Sequence, residues 1–197
     1  LSLYQLTVER GTPFFTAERG GAFALPEEDL SAALFETTQE ITEQAGLPAY
    51  EISNHARPSG ECRHNIVYWT GGDYAGIGPG AHGRVTQDGI VHATEQIPGP
   101  ENWLTAVQAD GHGTRRLEAL APGTRIEELI MTGLRLTSGI ERQEFAMRTG
   151  LDIEDALEPR RLRRLIDGGF VKLDAVGIRT TAEGRLRLNA VLAALMG

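Results

Sequence analysis

Residues 50–83 constrain the fold of this chain most, because they combine side chains that can bind ligands with loops and glycines that interrupt regular secondary structure. We predict a short strand at 50–53, a loop at 54–61 and a glycine-rich run at 76–80. Between the loop and the glycines lie four side chains with binding chemistry: His64, Asn65, Tyr68 and Trp69. Such groups beside flexible backbone indicate a pocket for a flat or polar cofactor. A loop-rich corner of the core, where Tyr and Trp bury surface, is the alternative interpretation.

Composition limits the remaining possibilities. The chain has 197 residues, of which 41% are hydrophobic and 23% charged, as in an ordinary globular protein. No apolar run approaches the length of about 20 residues that a membrane span needs, so we expect a cytoplasmic protein. Leu1 lies inside an alternating strand pattern, so we do not expect a natural start of the protein there. Cys62 is the only cysteine, so this chain alone cannot build a site that needs several thiolates.

The first part of the chain predicts alternating strand and helix. The alternation of Leu1, Leu3, Leu6 and Val8 predicts a strand. A helix is expected to open at Pro26 and to end at Gly46. Its apolar face is expected to hold Leu30, Leu34, Thr37 and Ile41. Followed by the strand at 50–53, this order outlines a right-handed βαβ crossover.

The later part predicts a different architecture. A hairpin about Asp88-Gly89 and a helix from Pro100 to Gly111 come first. From Thr124, the spacing predicts three helices, a pair of short extended segments and a closing helix at 182–195, a winged-helix-like order. Residues 1–113 and 114–197 are therefore the two predicted domains.

The arginine-rich segment 160–164 raises the hypothesis of DNA binding by the second domain. The net charge of −8 is concentrated in residues 1–149, and this acidic region would repel nucleic acid. We therefore expect no nucleic acid partner.

Three blocks of the sequence carry a family resemblance: YEISNHA, ECRHNIVYW and DYAGIGPGAH. They resemble the HemW-type heme chaperones, which are radical S-adenosylmethionine proteins similar to oxygen-independent coproporphyrinogen III oxidase. The resemblance implies an α/β fold: the C-terminal part of an incomplete TIM-like radical SAM barrel, then a small winged-helix-like α+β domain. It also implies S-adenosylmethionine and a 4Fe-4S cluster in the full-length protein. The three cysteines that would hold the cluster are absent from this chain.

The segment HNIVYW, residues 64–69, matches the heme-associated HNxxYW motif of that family. The resemblance implies heme as cofactor, with His64 as the axial metal ligand. Tyr68 and Trp69 would wall the porphyrin, and Asn65 would orient the imidazole or bind a propionate. Glu51, at a predicted strand end, is a further candidate for cofactor binding, although such carboxylates as often cap a loop.

Two formal patterns compete with this assignment. The glycines at 76–81 fit the dinucleotide pattern G-x-G-x-x-A, but Pro79 and Gly83 prevent the helix that this site requires. Cys62, two residues before His64, is an alternative thiolate ligand.

Three functions follow from the resemblance and the later part of the chain. In the first, the full-length protein binds heme and passes it to heme-accepting proteins, with transient contact to membrane-bound recipients. In the second, it is a coproporphyrinogen III oxidase that decarboxylates a porphyrinogen in porphyrin biosynthesis. In the third, the C-terminal module binds DNA. HNIVYW favours the chaperone, and enzymatic activity stays open because the cluster cysteines are absent.

Overall fold

The computed structural model describes all 197 residues as two compact units, Leu1–Glu61 and Cys62–Gly197. It is an α/β structure of short helices and two small antiparallel sheets. None of its helices is both long and apolar enough to cross a membrane.

The first unit contains two helices, α1 (Pro13–Arg19) and α2 (Glu28–Gln44). The strands predicted at 1–8 and 50–53 are wrong: only isolated antiparallel bridges form there, from Ser2 to Asn54 and from Ala49 to His55. A strand needs a continuous ladder of partners on a neighbouring strand, and these segments meet only at single positions. Because the bridges are antiparallel, the predicted crossover between parallel strands is not formed.

Helix α1 was not predicted, although its signals are in the sequence. The side chain of Thr12 accepts a hydrogen bond from the backbone N–H of Phe15, and Pro13 occupies the first turn. Thr12-Pro13 therefore begins a helix instead of ending a strand.

Helix α2 was predicted, but the predicted face is not its buried face. Leu30, Leu34 and Ile41 are each more than half exposed, whereas Thr42 is buried. The Thr42 hydroxyl shares a 3.0 Å hydrogen bond with Nδ1 of His55, and this contact orients the helix. The apolar residues at 30, 34 and 41 consequently form an exposed stripe.

The first unit contains a buried polar contact between His55 and Thr42. His55 is 1% exposed, and burial in a low-dielectric environment lowers the pKa of its imidazole below the ordinary value. The folded unit therefore holds this ring neutral, while the unfolded chain protonates it at about pH 6.5.

This difference predicts acid sensitivity. A group with a depressed folded-state pKa stabilises the fold above its unfolded pKa, and that stability is lost as pH falls below about 6.5. We expect the urea midpoint, followed by circular dichroism, to drop between about pH 7.5 and about pH 5.5. His55→Gln should flatten this dependence, whereas His112→Gln, at an exposed position, should leave it intact. An equal pH dependence in both variants would contradict the assignment.

The second unit begins with α3 (Arg63–Trp69) and continues into an antiparallel sheet in the order β1-β2-β3. Its strands are β1 (His82–Gln87), β2 (Ile90–Gln96) and β3 (Thr114–Ala119), with α4 (Pro100–Asp110) between the last two. The predicted hairpin is confirmed, with Asp88 and Gly89 both at positive φ, and so is the helix that ends at Gly111. β3 was not predicted.

The rest of the unit is a helical module with a second sheet in the order β4-β6-β5. Its helices are α5 (Pro122–Gly133), α6 (Arg142–Thr149), α7 (Ile153–Ala156), α8 (Pro159–Asp167), α9 (Ala182–Leu186) and α10 (Leu188–Met196). Its strands are β4 (Ile140–Glu141), β5 (Val171–Leu173) and β6 (Gly177–Thr180). The core between them contains Leu134, Phe145, Val171, Ile178 and Val191.

Two local predictions in this module need correction. α5 starts at Pro122 with Ala121 as N-cap, two residues before the predicted start at Thr124. The predicted last helix is two helices, which meet at Arg187.

Candidate functional site

The four candidate residues of the HNIVYW segment lie on one short helix, α3, which spans Arg63 to Trp69. Helical geometry places residues four positions apart on the same face, so His64 and Tyr68 are neighbours. Trp69 points about 140° away from His64, given 100° per residue. The segment therefore presents two faces.

His64 occupies the open face. Its side chain is exposed, and its ring meets the Tyr68 ring edge-on with centroids 4.7 Å apart. The protein engages neither ring nitrogen in a hydrogen bond. An imidazole with a free nitrogen is able to ligate a metal, and a ligand role of His64 stays a prediction.

Aromatic rings continue from His64 into the unit. The rings of Tyr68 and Tyr74 lie 4.1 Å apart at 44°. Burial raises the pKa of the Tyr74 phenol, while the charges of Arg84 and Arg125 oppose that rise. The imidazole and the two phenol rings thus contact one another in turn. Tyr74 was not among the predicted site residues.

Trp69 lies on the other face of α3. The guanidinium of Arg135 sits 4.6 Å from its ring centroid, a cation–π contact. Trp69 lines a cavity of about 70 Å³ between α3, α5 and α6, together with Leu129 and Phe145. The Nε1 atom of Trp69 is buried without a hydrogen-bond partner. This environment packs α3 against the helical module.

Asn65 and Glu51 lie in different surroundings. Asn65 is half-buried on α3 and interacts with other protein groups. Glu51 belongs to the first unit and is 1% exposed. Its Oε1 accepts hydrogen bonds from Ser53 N–H, at 2.8 Å, and from the side-chain amide of Asn54, at 2.5 Å. That geometry is a loop cap, and a role of Glu51 in cofactor binding stays a prediction.

The end of α3 is held by two arginines that sequence reasoning missed. Arg125 of α5 and Arg148 of α6 both donate to the backbone carbonyl of Gly71, Arg148 at 3.1 Å. Cations at a helix C-terminus also complement its dipole. The paired Gly71-Gly72 after an aromatic helix was the available signal for a close approach here, but nothing in the sequence identified which arginines would make it.

The glycine-rich run has a structural role. A Cβ on Gly76 would lie 2.5 Å from the carbonyl oxygen of His82, and one on Gly83 would lie 2.4 Å from Thr94 Oγ1. These glycines allow backbone segments to approach closely. The segment continues into β1, so the helix that the dinucleotide pattern requires does not follow these glycines, as predicted.

No group of three or more His, Cys, Asp or Glu side chains converges on a metal position. Cys62, the N-cap residue of α3, is exposed and unbonded.

Residues 120–187 match the HemN C-terminal domain family. The chain resembles HemW heme chaperones over its whole length. It is 35% identical to HemW of Escherichia coli, which it matches over 98% of itself and 48% of that protein. It is 31% identical to HemW of Bacillus subtilis over 100% of itself and 50% of that protein. The resemblance predicted from the motif blocks is thereby confirmed.

Two further relatives place the chain in a wider group. The mitochondrial radical S-adenosyl methionine domain-containing protein 1 of Danio rerio is 35% identical over the whole chain, which covers 46% of that protein. The solved structure of the coproporphyrinogen III oxidase HemN from Escherichia coli, a radical SAM enzyme, superposes with a TM-score of 0.64. That match has 20% identity and covers 92% of this chain and 44% of the other, so it shows the fold alone. The chain spans about half the length of these relatives, as their C-terminal portion.

The junction at Gly71 predicts a stability defect. Gly71 has φ +66°, and a Cβ there would lie 2.3 Å from Leu129 Cδ2. Gly71→Ala should cost about 1–2 kcal/mol for the left-handed backbone and roughly 1–3 kcal/mol more for the overlap. Denaturant unfolding followed by circular dichroism measures the free energy of unfolding of this variant and of its control.

Gly150→Ala is the matched control, since Gly150 has φ +74° and open space around its Cβ position. It should lose only the backbone contribution. Equal losses in the two variants would show that the contact of Gly71 with α5 does not matter.

Proposed function

We propose that the protein is a heme chaperone: it binds heme and transfers it to acceptor heme proteins. The observation that carries this proposal is the exposed imidazole of His64, with both nitrogens available, beside the ring of Tyr68. The similarity to proteins named heme chaperones supports it. In this proposal the full-length protein also uses S-adenosylmethionine and a 4Fe-4S cluster, whose ligands are not in this chain.

Several residues on and near α3 would contact heme, each in a different way. Heme would supply an iron that binds an imidazole nitrogen, and His64 would provide that nitrogen. Tyr68, with Tyr74 behind it, offers aromatic surface to a flat macrocycle. The open position of His64 suits a carrier, because a ligand bound at an exposed helix can leave without unfolding its surroundings. Asn65, Trp69 and Glu51 stay proposed contributors.

The finer architecture is also a proposal. We assign residues 1–113 to the C-terminal part of an incomplete TIM-like barrel with the heme-motif segment, and residues 114–197 to a winged-helix-like domain. The exposed stripe of α2 agrees with a helix that covers a larger barrel. The helices and small sheet of the second domain support the winged-helix assignment.

The alternative functions have less support. The likeness to the oxidase is a likeness of fold at 20% identity, whereas the relatives above 30% include proteins named heme chaperones. DNA binding has only the arginines of α8 in its favour, on a molecule of net charge −8. We therefore propose heme-accepting proteins, with transient membrane-protein contact, as partners.

The decisive experiment is a heme titration. Purified protein should develop a Soret band with heme, and His64→Ala should shift this band and weaken heme binding about tenfold or more, because the only axial nitrogen is removed. Absorption spectroscopy measures both effects.

His112→Ala is the control, since His112 is also an exposed histidine of the second unit but lies before β3. Its spectrum should equal that of the unmodified protein. If His64→Ala binds heme with the same spectrum and affinity, His64 is not the ligand and the proposal loses its main support.

A further inference from the structure

Arg125 and Arg148 share a second feature besides their contact with Gly71. They line one cavity of about 200 Å³, between the hairpin end of the first sheet and helices α5 and α6. The opposite wall is largely apolar and includes Ile90, Val91 and Leu120. Two guanidinium groups in a pocket with apolar walls form an amphipathic environment.

The charge of Arg125 is incompletely compensated. Arg125 is 7% exposed, and the nearest carboxylate oxygen, Oε2 of Glu128, lies 3.9 Å from its Nη1. Glu128 is itself held by Arg84, whose Nη2 and Nε donate to its two oxygens at 2.7 and 3.2 Å. Nε of Arg125 is buried without any hydrogen-bond partner.

Arg148 adds a second positive charge. Burial lowers the pKa of Arg125, and the charge of Arg148 lowers it further. Arg148 has its own partner, Glu144, at 2.7 Å, and its side chain is 27% exposed. Arg125 is a buried charge without a close carboxylate partner, and such charges are costly, so an anion in the cavity would stabilise it.

We propose that Arg125 and Arg148 form a carboxylate-binding subsite in this cavity. A guanidinium matches a carboxylate in planar, paired hydrogen bonds. The wall of Ile90, Val91 and Leu120 would accept the hydrocarbon attached to that carboxylate.

Two sources supply such a group: a propionate of a tetrapyrrole or a free dicarboxylate. The first rests on the proposed heme function and is favoured by position. His64 lies on the first turn of α3, and both arginines donate to Gly71, two residues after the last residue of this helix. The Tyr68 ring contacts His64 and the Tyr74 ring, and the charge of Arg125 acts on Tyr74.

The experiment compares heme, heme dimethyl ester and succinate as ligands. Arg148→Gln is the informative variant, because this side chain is partly exposed and its loss need not unfold the core. If the subsite takes a propionate, the unmodified protein prefers heme over its ester, and Arg148→Gln reduces that preference about tenfold, the strength of a charged hydrogen bond. Absorption titration measures the two heme affinities, and calorimetry measures succinate.

Arg187→Gln is the matched control: it removes the same charge from another i,i+4 ion pair, Arg187 with Glu183 at 2.6 Å. It should leave the heme preference unchanged. Binding of succinate that Arg148→Gln abolishes, with an unchanged heme preference, would identify a free carboxylate as the ligand.

Two results would overturn the subsite. One is an equal loss of heme and ester affinity in Arg148→Gln without succinate binding, which would mean that the arginines only position α3. The other is the absence of any ester discrimination or succinate binding in the unmodified protein. Failure of the unmodified protein to bind heme or its ester would instead refute the heme proposal, and succinate would then decide the subsite alone.

Discussion

The carbonyl of Gly71 is the point on which the candidate site depends. Two guanidinium groups from different helices donate to this oxygen, and the glycine's positive φ turns the chain away from α3 at the same position. A helix of seven residues has too few internal hydrogen bonds to persist alone. The orientation of the imidazole on its first turn is therefore set by contacts at its last turn, which the HemN C-terminal domain provides.

This dependence gives the C-terminal domain a physical role that does not involve nucleic acid. Arg125, Arg135 and Arg148 all contact residues of α3 or the turn after it. The arginines of α8, by contrast, lie on a helix whose buried residues, Leu162 and Leu165, face the module's own core. The helical module thus supports the motif helix from one side, and the His64 face stays open.

Sequence reasoning succeeded where a local signal decides the structure. The hairpin at Asp88-Gly89 and the helix ending at Gly111 follow from backbone conformations that those residues favour. It failed where a distant partner decides the structure. The alternation at Leu1–Val8 could not show whether a neighbouring strand would be available. The apolar stripe of α2 could not show that Thr42 would face inward to His55. In the candidate site, HNIVYW drew attention to the side chains, but the helix that carries them was not predicted. Tyr74 and the two arginines reach this helix only through tertiary packing, which no local pattern encodes.

Because α3 is short, the six-residue motif does not determine its own conformation. The segment HNIVYW supplies an exposed imidazole and its aromatic neighbour, yet it specifies no stable conformation by itself. Without the glycine turn after it and the two distant arginines, the same side chains would have no fixed direction. The candidate site is thus formed by residues that lie more than 75 positions apart along the polypeptide, and a short peptide copied from it would not reproduce the arrangement.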